Sequence, residues 1–499
     1  MKKQFILSAL LMMLLSFTSN AQNGTRLIGF DAVTSGRGGT STGFFDNPSL
    51  MMNNPAGLSF LKSNQADLSF SLMAPTVQFK NGLNDTEGKQ NYFPLGCLSF
   101  AKKYSDKLTY GFGIFTQGGM GADFNLKHQL YVDGNGNYIK QPYHSKFAVM
   151  QGGGSIAYKL SKEFSVGLTA NLVYGQVEFQ MPMAMPPSMM KGIIPERNMS
   201  FGDLFAAAPQ TGGLGYNEVV ASANMQKLTS FGFNGKLALA YKPNDQFSFG
   251  MNYTLPVNLT YKNGKAKMDM SYQMNDAMGR VMAGIMQQYP GTTQAEAQQM
   301  AMGMFTQMGI DLTKGVADEY NAQAKFGLPQ SVSAGLFFAP VKKLRLALDA
   351  EWINWAKAFK QMDISLTGGT NDNISKMMGT SGSISMAFPM KWKNTIVIRT
   401  GAEVDVTPGV ILRGGYVYGS NPVPNTTIFP VFPAIVEHHL TVGCSIKMSK
   451  ALVLNAAYEH AFQNKQTAAS KSEVANEYNN SVSGLANDIF HVSLSWLIK

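Results

Sequence analysis

Most of this sequence repeats one pattern, in which about ten residues of alternating apolar and polar character are followed by turn residues. Near the C-terminus, Phe490, Val492 and Leu494 alternate with His491 and Ser493. Because successive side chains of a β-strand point to opposite faces, this pattern predicts strands with one apolar face and one polar face. Fourteen such segments are found, near residues 65–79, 91–103, 107–118, 143–160, 163–180, 226–242, 245–262, 325–339, 343–364, 391–405, 409–419, 436–448, 451–463 and 486–498.

The connections between these predicted strands alternate between tight turns, such as Ser161-Lys162 and Thr407-Pro408, and seven longer loops. Short turns on one side and long loops on the other are typical of the β-barrels of bacterial outer membranes. A soluble β-sandwich of two domains is the alternative, but it would not sort its connections in this way. The predicted fold class is therefore all-β, a 14-stranded antiparallel transmembrane β-barrel. Short helices are expected in its long loops, of which 181–225 and 264–324 are the longest.

The N-terminus has the features of an export signal. Two lysines precede an apolar run from Phe5 to Phe17, and Ser19-Asn20-Ala21 supplies the small residues that a signal peptidase recognises. A retained membrane anchor is the alternative, but the apolar run is too short to cross a bilayer. We predict that residues 1–21 are a cleaved signal peptide and that the protein resides in the bacterial outer membrane.

The segment between this signal and the first strand predicts a plug inside the barrel. Residues 36–60 are rich in Gly, Asn and Pro, which excludes a regular strand or a long helix. Asn47-Pro48 and Asn54-Pro55 fix turns, yet Phe44 and Phe45 bring more apolar surface than a solvated tail would carry. We therefore predict that residues 22–62 form a hatch within the barrel built by residues 63–499.

The alternation also predicts that charged side chains of the ninth to twelfth strands point into the barrel. These residues are Arg345, Asp349, Glu351, Arg399, Glu403, Arg413 and Glu437. Buried charges are unfavourable unless they are paired, so partners are expected in the hatch. The candidate partners are Arg26, Asp31, Arg37 and Asp46. Pairing between neighbouring wall strands is an equally good alternative for any single residue.

Methionines are concentrated in the two longest loops. In the loop that follows the seventh strand, methionines recur at every fourth position from Met270 to Met286, which predicts a helix with an apolar stripe. A second helix is predicted to begin after Thr293, because Glu296 completes a capping box. Flexible methionine surfaces accept apolar ligands of varied shape. The predicted substrate-capture residues are Met181, Met183, Met185, Met274, Met278 and Met282. The alternative, compatible with the first, is that the two loops pack on each other as a lid.

The third predicted strand loses its alternation after Phe115 and contains the pair Gly118-Gly119. Consecutive glycines within a strand indicate a bulge or a bend. The spacing alone leaves open whether the strand bends at this point or ends there.

Short motifs carry a resemblance to a known family over nearly the whole chain. They are Asn54-Pro55-Ala56 in the hatch, Trp352-Ile-Asn-Trp355 with Phe359, Trp392-Lys393, and Asn421-Pro-Val-Pro424. In these residues the chain resembles the FadL/OmpP1/TodX family of outer-membrane transporters of long-chain fatty acids or other hydrophobic compounds. The resemblance implies a 14-stranded barrel with an N-terminal hatch, in which Phe44, Phe45, Asn54, Pro55 and Ala56 would be hatch residues. It also implies an inward bend of the third strand that forms a lateral gate at Thr116, Gln117, Gly118 and Gly119.

One departure from the family bears on the substrate. Fatty-acid members place basic residues in the lumenal pocket, and the corresponding positions here align with Met181 and Asp363, neither of which is basic. This leaves uncharged or aromatic hydrophobes open. The function predicted is a passive channel for small hydrophobic molecules, with surface capture, lumenal binding and lateral release. The expected partners are the hydrophobic substrate, outer-membrane lipids and the barrel-assembly machinery, and the protein is expected to be a monomer.

Other functional classes find less support in the sequence. The net charge of +10 is spread without a basic run, which argues against nucleic-acid binding. Two cysteines, Cys97 and Cys444, do not make a disulfide framework. Strand alternation places His438 and His439 on opposite faces, so they cannot share a metal, and no cofactor or enzyme activity is predicted. A surface receptor or adhesin, or a general porin with a structural plug, remains the alternative.

Overall fold

The structure, a computed structural model, describes residues 24–195 and 197–498, so the predicted signal peptide lies outside the described residues. Fourteen antiparallel strands close into one barrel, which confirms the predicted fold class. The last strand pairs with the first from Asn64 opposite Ile498 to Lys80 opposite Val482. Closure pairs the first strand with the last, so the sheet has no free terminal strand, which is the condition for a β-sheet to cross a bilayer.

The strands are labelled β1 to β14 in chain order, and four of them consist of two segments. Their bounds are β1 Asn64–Lys80, β2 Phe93–Lys103, β3 Leu108–Val132, β4 Tyr138–Lys159, β5 Phe164–Met185, β6 Val219–Tyr241, β7 Phe247–Thr254 and Val257–Asp269, β8 Ala317–Leu328 and Ser331–Val341, β9 Leu344–Ile353 and Gln361–Thr367, β10 Ile384–Pro389 and Thr395–Thr407, β11 Val410–Gly419, β12 His438–Lys447, β13 Leu452–Thr467, and β14 Val482–Ile498. Short loop strands are Asp85–Glu87, Ile193–Ile194 and Met199–Ser200.

Seven α-helices lie in the hatch and in the loops of the described chain. They are α1 Ala32–Gly36, α2 Leu50–Asn53, α3 Phe201–Ala206, α4 Ser271–Gln288, α5 Gln294–Gln307, α6 Trp355–Ala358 and α7 Asp372–Met378. Helix α5 begins with the predicted capping box between Thr293 and Glu296. Within the described ranges, no helix combines the length and the apolar character needed to span a membrane.

Several strands are longer than the sequence pattern predicted. Strand β3 continues to Val132 instead of ending near residue 118, and β6 begins at Val219 instead of near residue 226. The loops predicted at 181–225 and 264–324 are therefore shorter, because β5, β7 and β8 also extend into them. The physical reason is that these extensions carry exposed polar side chains, such as Asn125 and Lys127, so the ladder continues after the apolar alternation has ended.

The two faces of the barrel differ as the alternation predicts. Large apolar side chains are exposed on the outer face, for example Phe70 at 56%, Phe112 at 52% and Phe490 at 55%. The inner face near the tight turns carries small and polar side chains such as Ser165 and Thr169, which are buried by the hatch. This outward apolar band is what a lipid-facing wall requires.

The hatch occupies the half of the lumen nearer the tight turns. Its helix α1 packs against β11 to β14, and its 3-10 helix Pro55–Phe60 packs against β3 to β6 on the other side. Between them, the Ser41 and Thr42 amides donate to Asp349 of β9, each at 2.8 Å. The hatch therefore touches walls on opposite sides of the barrel and fills its cross-section.

Above the hatch, toward the long loops, the lumen changes from polar to apolar. On β7 the inward side chains are Asn252 and Thr254 below the break at residues 255–256, and Val257 and Leu259 above it. The same change occurs on β9 between Glu351 and the buried Ile353. The apolar upper lumen is continuous with the core of the loops.

Candidate functional site

An aromatic cluster forms the lower end of the apolar lumen. Phe359 stacks on Trp392 with ring centroids 4.5 Å apart, and Trp355 meets Trp392 edge to face at 5.2 Å. These residues come from interruptions of the wall: Trp355 lies in α6, between the two segments of β9, and Trp392 lies between the two segments of β10. Because the regular ladder is broken there, the chain can turn large side chains into the barrel.

Phenylalanines from the wall and from the loop after β11 complete a closed chamber above this cluster. Its lining consists of Ser145, Lys146, Phe147, Val177, Glu178, Phe179, Phe326, Phe359, Met362, Met390, Phe429 and Phe432. The free cavity volume is ≈ 30 Å³, far less than a ligand pocket of about 300 Å³ or more. A ligand can enter only if side chains such as Met390 and Phe432 move, and both belong to adaptable positions outside the regular strands. Sequence reasoning did not identify this chamber, although the inward parity of Phe147 and Phe179 was available as a signal.

Two polar groups in the chamber region have no partner within the described part of the chain. The indole Nε1 of Trp355 and the hydroxyl of Tyr261 are both buried and unpaired. Tyr261 stacks on Phe326 at 4.7 Å, which places its ring beside the chamber lining. Unpaired buried donors are uncommon in folded proteins, so these two groups are available to a ligand that carries an acceptor.

The floor of the chamber is a ring of charges. Glu351 accepts hydrogen bonds from Arg26 of the hatch and from Arg399 of β10, each at 2.8 Å. Buried Lys236 donates to the Oδ1 of Asn252 at 3.3 Å and to the Oγ1 of Thr254 at 2.5 Å. No carboxylate of the described residues pairs with Lys236. Arg26 and Arg399 of the floor are thus paired through Glu351, whereas Lys236 has only neutral hydrogen-bond partners.

The hatch motif Asn54-Pro55-Ala56 is a structural joint. The side chain of Asn54 accepts from the Ala56 amide at 3.1 Å and donates to the carbonyl oxygens of Thr42 at 2.8 Å and Leu239 at 3.1 Å. Pro55 occupies the first turn of the 3-10 helix, where its missing N–H costs nothing. Ala56 packs so closely on β5 that a side chain at Gly167 would overlap the Ala56 backbone.

Phe44 and Phe45 lie on the side of the hatch that faces the tight turns. Phe44 contacts Phe337 of β8 with centroids 4.5 Å apart, and the Arg37 guanidinium lies 3.9 Å from the Phe44 ring centre. Phe45 stacks on Phe60 at 5.6 Å. Both phenylalanines line a vestibule of ≈ 750 Å³ at this end of the barrel, whose walls mix apolar and charged side chains. The apolar lumen is thus separated from this vestibule by the whole thickness of the hatch.

Two of the four candidate hatch residues, Arg26 and Arg37, pair with carboxylates of the wall, whereas Arg345 and Arg413 follow the alternative and bind the wall carboxylate Glu403. Arg37 binds Asp46 within the hatch and Glu403 of β10 at 2.9 Å, and Arg26 binds Glu351. Asp31 instead caps α1, because its carboxylate accepts the amides of residues 33 and 34. Asp349 meets backbone amides of the hatch in place of a charge, and within the described residues the Oε1 of Glu437 is unpaired.

The wall has a gap in its hydrogen bonding beside the hatch. The ladder between β2 and β3 ends at the pair Cys97 and Phe115. Further up, the backbone of β2 pairs only with β1, and among the wall strands the backbone of β3 pairs only with β4. The gap is closed above by the bond from the Lys89 amide to the Asp123 carbonyl at 2.7 Å. We call this gap, between residues 93–96 of β2 and 116–122 of β3, the lateral window.

The four predicted gate residues lie at the lower edge of the lateral window. Thr116 bonds through Oγ1 to the amide of Gly96 at 3.1 Å, and Gln117 is the extra residue of a β-bulge and bonds to Gln151. The bulge reverses the parity of β3, so that Phe115 below and Phe124 above both face inward. Strand β3 therefore bends and does not end.

The hatch and one phenylalanine fill the lateral window. The backbone of Thr25 accepts the Gly119 amide at 3.0 Å, and Gly118, with φ at +157°, lies so close that a side chain there would overlap the Thr25 carbonyl. On the other edge, the ring of Phe93 lies against Gly121 of β3: a Cβ added at Gly121 would be 3.0 Å from the ring. Gly24, next to Thr25, lies against Trp355 of the chamber. The first described residues of the hatch thus connect the chamber floor to the window.

The predicted capture methionines are buried and do not line an open groove between two loops. Met181, Met183 and Met185 belong to the extended β5 and all face the lumen, because strand alternation gives them one parity. Met274 is 4% exposed in the main core, and Met278 and Met282 are partly buried against α5. The six methionines are part of the apolar core of the upper lumen and its helical cover, and their role in substrate capture stays a prediction.

The alignment of Asp363 with a lumenal position is also wrong. Asp363 is exposed on β9 and is paired in register with Lys325 of β8, whereas the neighbouring Ile364 is buried. Met181 does lie in the lumen, next to the Tyr478 hydroxyl. His438 faces outward beside Tyr416, and His439 is buried against Glu459. In the described part of the chain, no group of three or more His, Cys, Asp or Glu is placed to hold a metal.

Comparisons with known proteins agree with this architecture. Residues 23–491 match the family model of outer membrane protein transport proteins, OMPP1/FadL/TodX. Among solved structures, the chain is similar to a Pseudomonas aeruginosa FadL homologue, with a TM-score of 0.68 and 17% identity over 95% of this chain and 100% of that chain. It is also similar to the Pseudomonas putida toluene transporter TodX, with a TM-score of 0.66 and 18% identity over 96% of this chain and 100% of that chain. The Ralstonia pickettii toluene transporter TbuX gives a TM-score of 0.62 and 16% identity over 94% of this chain and 98% of that chain. No curated protein sequence matches the chain.

Proposed function

The chain belongs to the OMPP1/FadL/TodX family of outer membrane transport proteins, and we propose that it carries small hydrophobic molecules from the cell exterior to a lateral exit in the barrel wall. The coarser part follows from the family, whose members are outer-membrane channels and not enzymes. The route and the substrate are the proposal. No energy source is required, because transfer from water to apolar surface is favourable by about 25 cal/mol per Å² buried.

The apolar upper lumen supports the first half of the route. Met181, Met183 and Met185 belong to the same buried cluster as Phe179 and Trp392. An apolar molecule that enters between the loops would remain in contact with this cluster down to the chamber. Methionine and phenylalanine side chains can move aside to admit it, because the chamber has no empty space of ligand size.

The observation that carries the proposal is the position of the lateral window relative to the charged floor. Directly below the chamber, an apolar molecule would have to displace Arg26, Glu351 and Arg399 from one another, which costs several kcal/mol, roughly what breaking a buried ion pair costs. Sideways, it has only to displace the strand-like segment at Thr25 and the ring of Phe93. The sideways route leads to lipid, where an apolar solute is stable.

The chamber favours an uncharged substrate. Its lining is mostly phenylalanine and methionine, and the free donors on Trp355 and Tyr261 would suit a ligand with one acceptor atom. A second candidate is an amphiphile with an acidic head group. It is favoured by Lys236, whose buried ammonium has only neutral partners at the boundary between the apolar and polar lumen. The two candidates differ in whether Lys236 takes part in binding.

Phe93 provides the test of the lateral exit. Phe93→Ala enlarges the lateral window and Phe93→Trp narrows it, without touching the hatch. Phe490 is the matched control, because it is an exposed phenylalanine of β14 that faces lipid and whose register partners, Leu72 and Tyr458, lie outside the window. Uptake and equilibrium binding of a radiolabelled monoaromatic hydrocarbon would be measured in the same variants.

We expect uptake to fall in Phe93→Trp and to rise for larger hydrocarbons in Phe93→Ala, with unchanged binding, and we expect no change in the Phe490→Ala and Phe490→Trp variants. If uptake is equal in all four variants while Arg26→Gln alters it, the exit is axial and the lateral route is wrong. The double variant Gly118→Val and Gly119→Val should also lose uptake. The ion conductance of this double variant must be recorded too, because a valine side chain at position 118 would push against Thr25 of the hatch.

A further inference from the structure

Four exposed lysines form a compact patch on the outer face of β6, β7 and β8, at the end of these strands nearer the long loops. They are Lys227, Lys262, Lys265 and Lys325. Lys262 of β7 lies opposite Thr229 of β6, and Lys265 lies opposite Gln226. Lys227 of β6 therefore lies, along the strand direction, between the levels of Lys262 and Lys265. Lys325 lies opposite Thr260, two residues before Lys262. With strands about 4.8 Å apart and residues about 3.3 Å apart along a strand, all four ammonium groups can reach one ligand head group.

Two neighbouring bulges produce this arrangement. Met225 and Leu228 both face the lumen although two residues separate them, so Lys227 is turned to the outer face. Its φ is +58°, and on the adjacent strand Asn263, next to Lys262, has a φ of +63°. Residues other than glycine rarely adopt this left-handed conformation, and where they do it often marks a functional position. Simple alternation would have placed Lys227 in the lumen.

The lysines of this patch outnumber the acidic residues that border it. Lys227, Lys262 and Lys325 form no ion pair with any described residue, whereas Lys80 elsewhere on the wall pairs with Asp85 at 2.6 Å. Lys265 donates to the neutral Asn321 at 2.7 Å. Two acidic residues border the patch: Asp363 of β9 lies opposite Lys325, and Glu178 of β5 lies across the bulge from Gln226 and Lys227. The patch therefore has excess positive charge that faces outward.

Aromatic side chains place the patch at the level of lipid head groups. Just below Lys262 on the outer face, Phe231 is 67% exposed and Phe233 is 82% exposed. The Tyr174 ring of β5 lies 5.2 Å from that of Phe231. Rows of exposed aromatics mark the boundary between the hydrocarbon region and the head groups in membrane barrels. A lysine that follows such a row is positioned to meet anionic head groups of the outer leaflet.

We propose that this lysine patch binds the phosphorylated head group of a glycolipid of the outer leaflet, as found in lipopolysaccharide. Clustered lysines are effective phosphate binders, and a diphosphorylated sugar head group complements several ammonium groups spread over three strands. The apolar surface of Phe231 and Phe233 would contact the acyl chains of the same lipid. This inference concerns the outer wall and does not depend on the transported substrate or on the exit route.

The test uses the full-length protein in a neutral detergent and purified lipid A as the probe. Binding of diphosphorylated lipid A and of enzymatically dephosphorylated lipid A would be compared by native mass spectrometry. The variant is Lys227→Gln, Lys262→Gln and Lys325→Gln together. Its matched control is Lys102→Gln, Lys107→Gln and Lys103→Gln, three lysines near the tight turn between β2 and β3 at the opposite end of the barrel.

We expect the patch variant to bind diphosphorylated lipid A about a hundredfold more weakly, since each lysine near a charged surface contributes about a fivefold factor. The control variant should bind diphosphorylated lipid A as tightly as the parent does, which would show that the position of the removed lysines matters. Dephosphorylated lipid A should bind weakly to the parent and to both variants, because it lacks the phosphates. Equal affinity of parent and patch variant overturns the proposal, as does a parent that binds both lipids alike. Competition by inorganic phosphate at micromolar concentration would instead identify the patch as a site for a free phosphate, and the lipid assignment would be wrong.

Discussion

Arg26 of the hatch and Arg399 of the wall bind the two oxygens of one carboxylate, that of Glu351, each at 2.8 Å. Removal of Arg26 leaves Glu351 still neutralised by Arg399. Removal of the Glu351 charge leaves two guanidinium groups and the nearby ammonium of Lys236 without an anion between them. Buried like charges without a counterion are strongly unfavourable, so the two substitutions are not equivalent.

We expect Glu351→Gln to destabilise the seated hatch by about 3–5 kcal/mol and Arg26→Gln by clearly less. Single-channel conductance in planar bilayers measures this, because a displaced hatch opens an aqueous path through the lumen. Deletion of residues 24–60 gives the fully open reference. Arg280→Gln is the control, since its pair with Asp276 lies exposed on α4 and should contribute about 0.5 kcal/mol at most. Equal conductance in Glu351→Gln and in the parent would show that this carboxylate does not hold the hatch.

The hatch motif gives a second prediction. Asn54→Ala removes three hydrogen bonds, to Thr42, Leu239 and Ala56, and leaves buried backbone groups without partners. The cost should be about 1–3 kcal/mol, seen as frequent opening events in the conductance trace. The neighbouring Asn53→Ala is the matched control, because the Asn53 side-chain amide has no hydrogen-bond partner among the described residues. If both alanine variants behave alike, the motif does not anchor the hatch.

The strand count could be predicted from the sequence because the two faces of each strand lie in different environments, lipid on the outside and the hatch-filled lumen on the inside, and each environment favours a different kind of side chain. Lipid selects Phe490 and Val492, while the hatch-filled lumen selects His491 and Ser493. This contrast disappears where a strand rises above the membrane, so the extension of β3 beyond Gly118 was not predicted. The ladder there is maintained by the backbone and leaves no pattern in the side chains.

The candidate site was only partly predictable, for a related reason. Trp355 and Trp392 stood out as motif residues, but their meeting depends on two interruptions in adjacent strands. A one-residue bulge at Gln117 reversed the parity of β3, and a second bulge turned Lys227 outward. The pair Gly118-Gly119 indicated a bulge or a bend in β3, but a bulge is set by local backbone geometry and neighbouring strands, so the sequence did not give the residue at which the parity reverses. Met181, Met183 and Met185 were recognised as apolar, but their burial in the lumen depends on the extension of β5 to Met185, which the sequence pattern did not show.

Lys236 distinguishes the two candidate substrates. Lys236→Met replaces a buried ammonium by an apolar side chain of similar length. If the substrate is an acidic amphiphile, binding of a long-chain fatty acid should weaken at least about tenfold, since a charge-assisted hydrogen bond contributes about 1.5–3 kcal/mol. Binding of a monoaromatic hydrocarbon should remain unchanged in the same variant. If both probes bind as they do to the parent, Lys236 serves the hatch alone and the acidic candidate is wrong.

The buried methionines of α4 give a prediction with a built-in control. Met274→Ser, Met278→Ser and Met282→Ser remove apolar area where α4 packs on α5 and on the core. The buried Met274 contributes about 1.5–3 kcal/mol and the partly buried Met278 and Met282 contribute less, so the helical pair should become protease-sensitive while the barrel keeps its heat-modifiable migration. Uptake at low substrate concentration should fall.

Met286, Met300 and Met302 supply the comparison, because they are 42%, 44% and 43% exposed. Their triple serine variant removes the same kind of side chain from the surface. Loss of uptake in this exposed set, with normal uptake in the buried set, would show that capture occurs on the outer surface of the helices. Normal uptake in both sets at all concentrations would restrict these helices to a structural role.

The loop between β13 and β14 should respond to pH through two carboxyl groups. Glu477 accepts a hydrogen bond from Tyr143 at 2.7 Å, and His128 lies 3.9 Å from its other oxygen. Glu218 of the loop after β5 accepts the Asn476 amide at 2.9 Å. Burial raises the pKa of Glu477 to about 8, and the negative charge of Glu218 acts in the same direction. Burial also raises the pKa of Glu218.

The folded protein holds the proton of Glu477 more tightly than the unfolded chain does. Protonated Glu477 therefore stabilises the loop fully below the ordinary pKa of 4.5, and this contribution is lost as the pH rises through about 8. We therefore expect amide hydrogen exchange in residues 468–481, corrected for its intrinsic pH dependence, to be slow at low pH and to accelerate as the pH rises through this range. Glu477→Gln keeps an acceptor for Tyr143 but cannot ionise, so its loop should remain protected throughout. Glu473→Gln, which removes only the exposed pair with Lys391, should follow the parent. A parent whose corrected exchange does not change between these limits, or a Glu477→Gln variant that accelerates as the parent does, would show that ionisation of Glu477 does not control the loop.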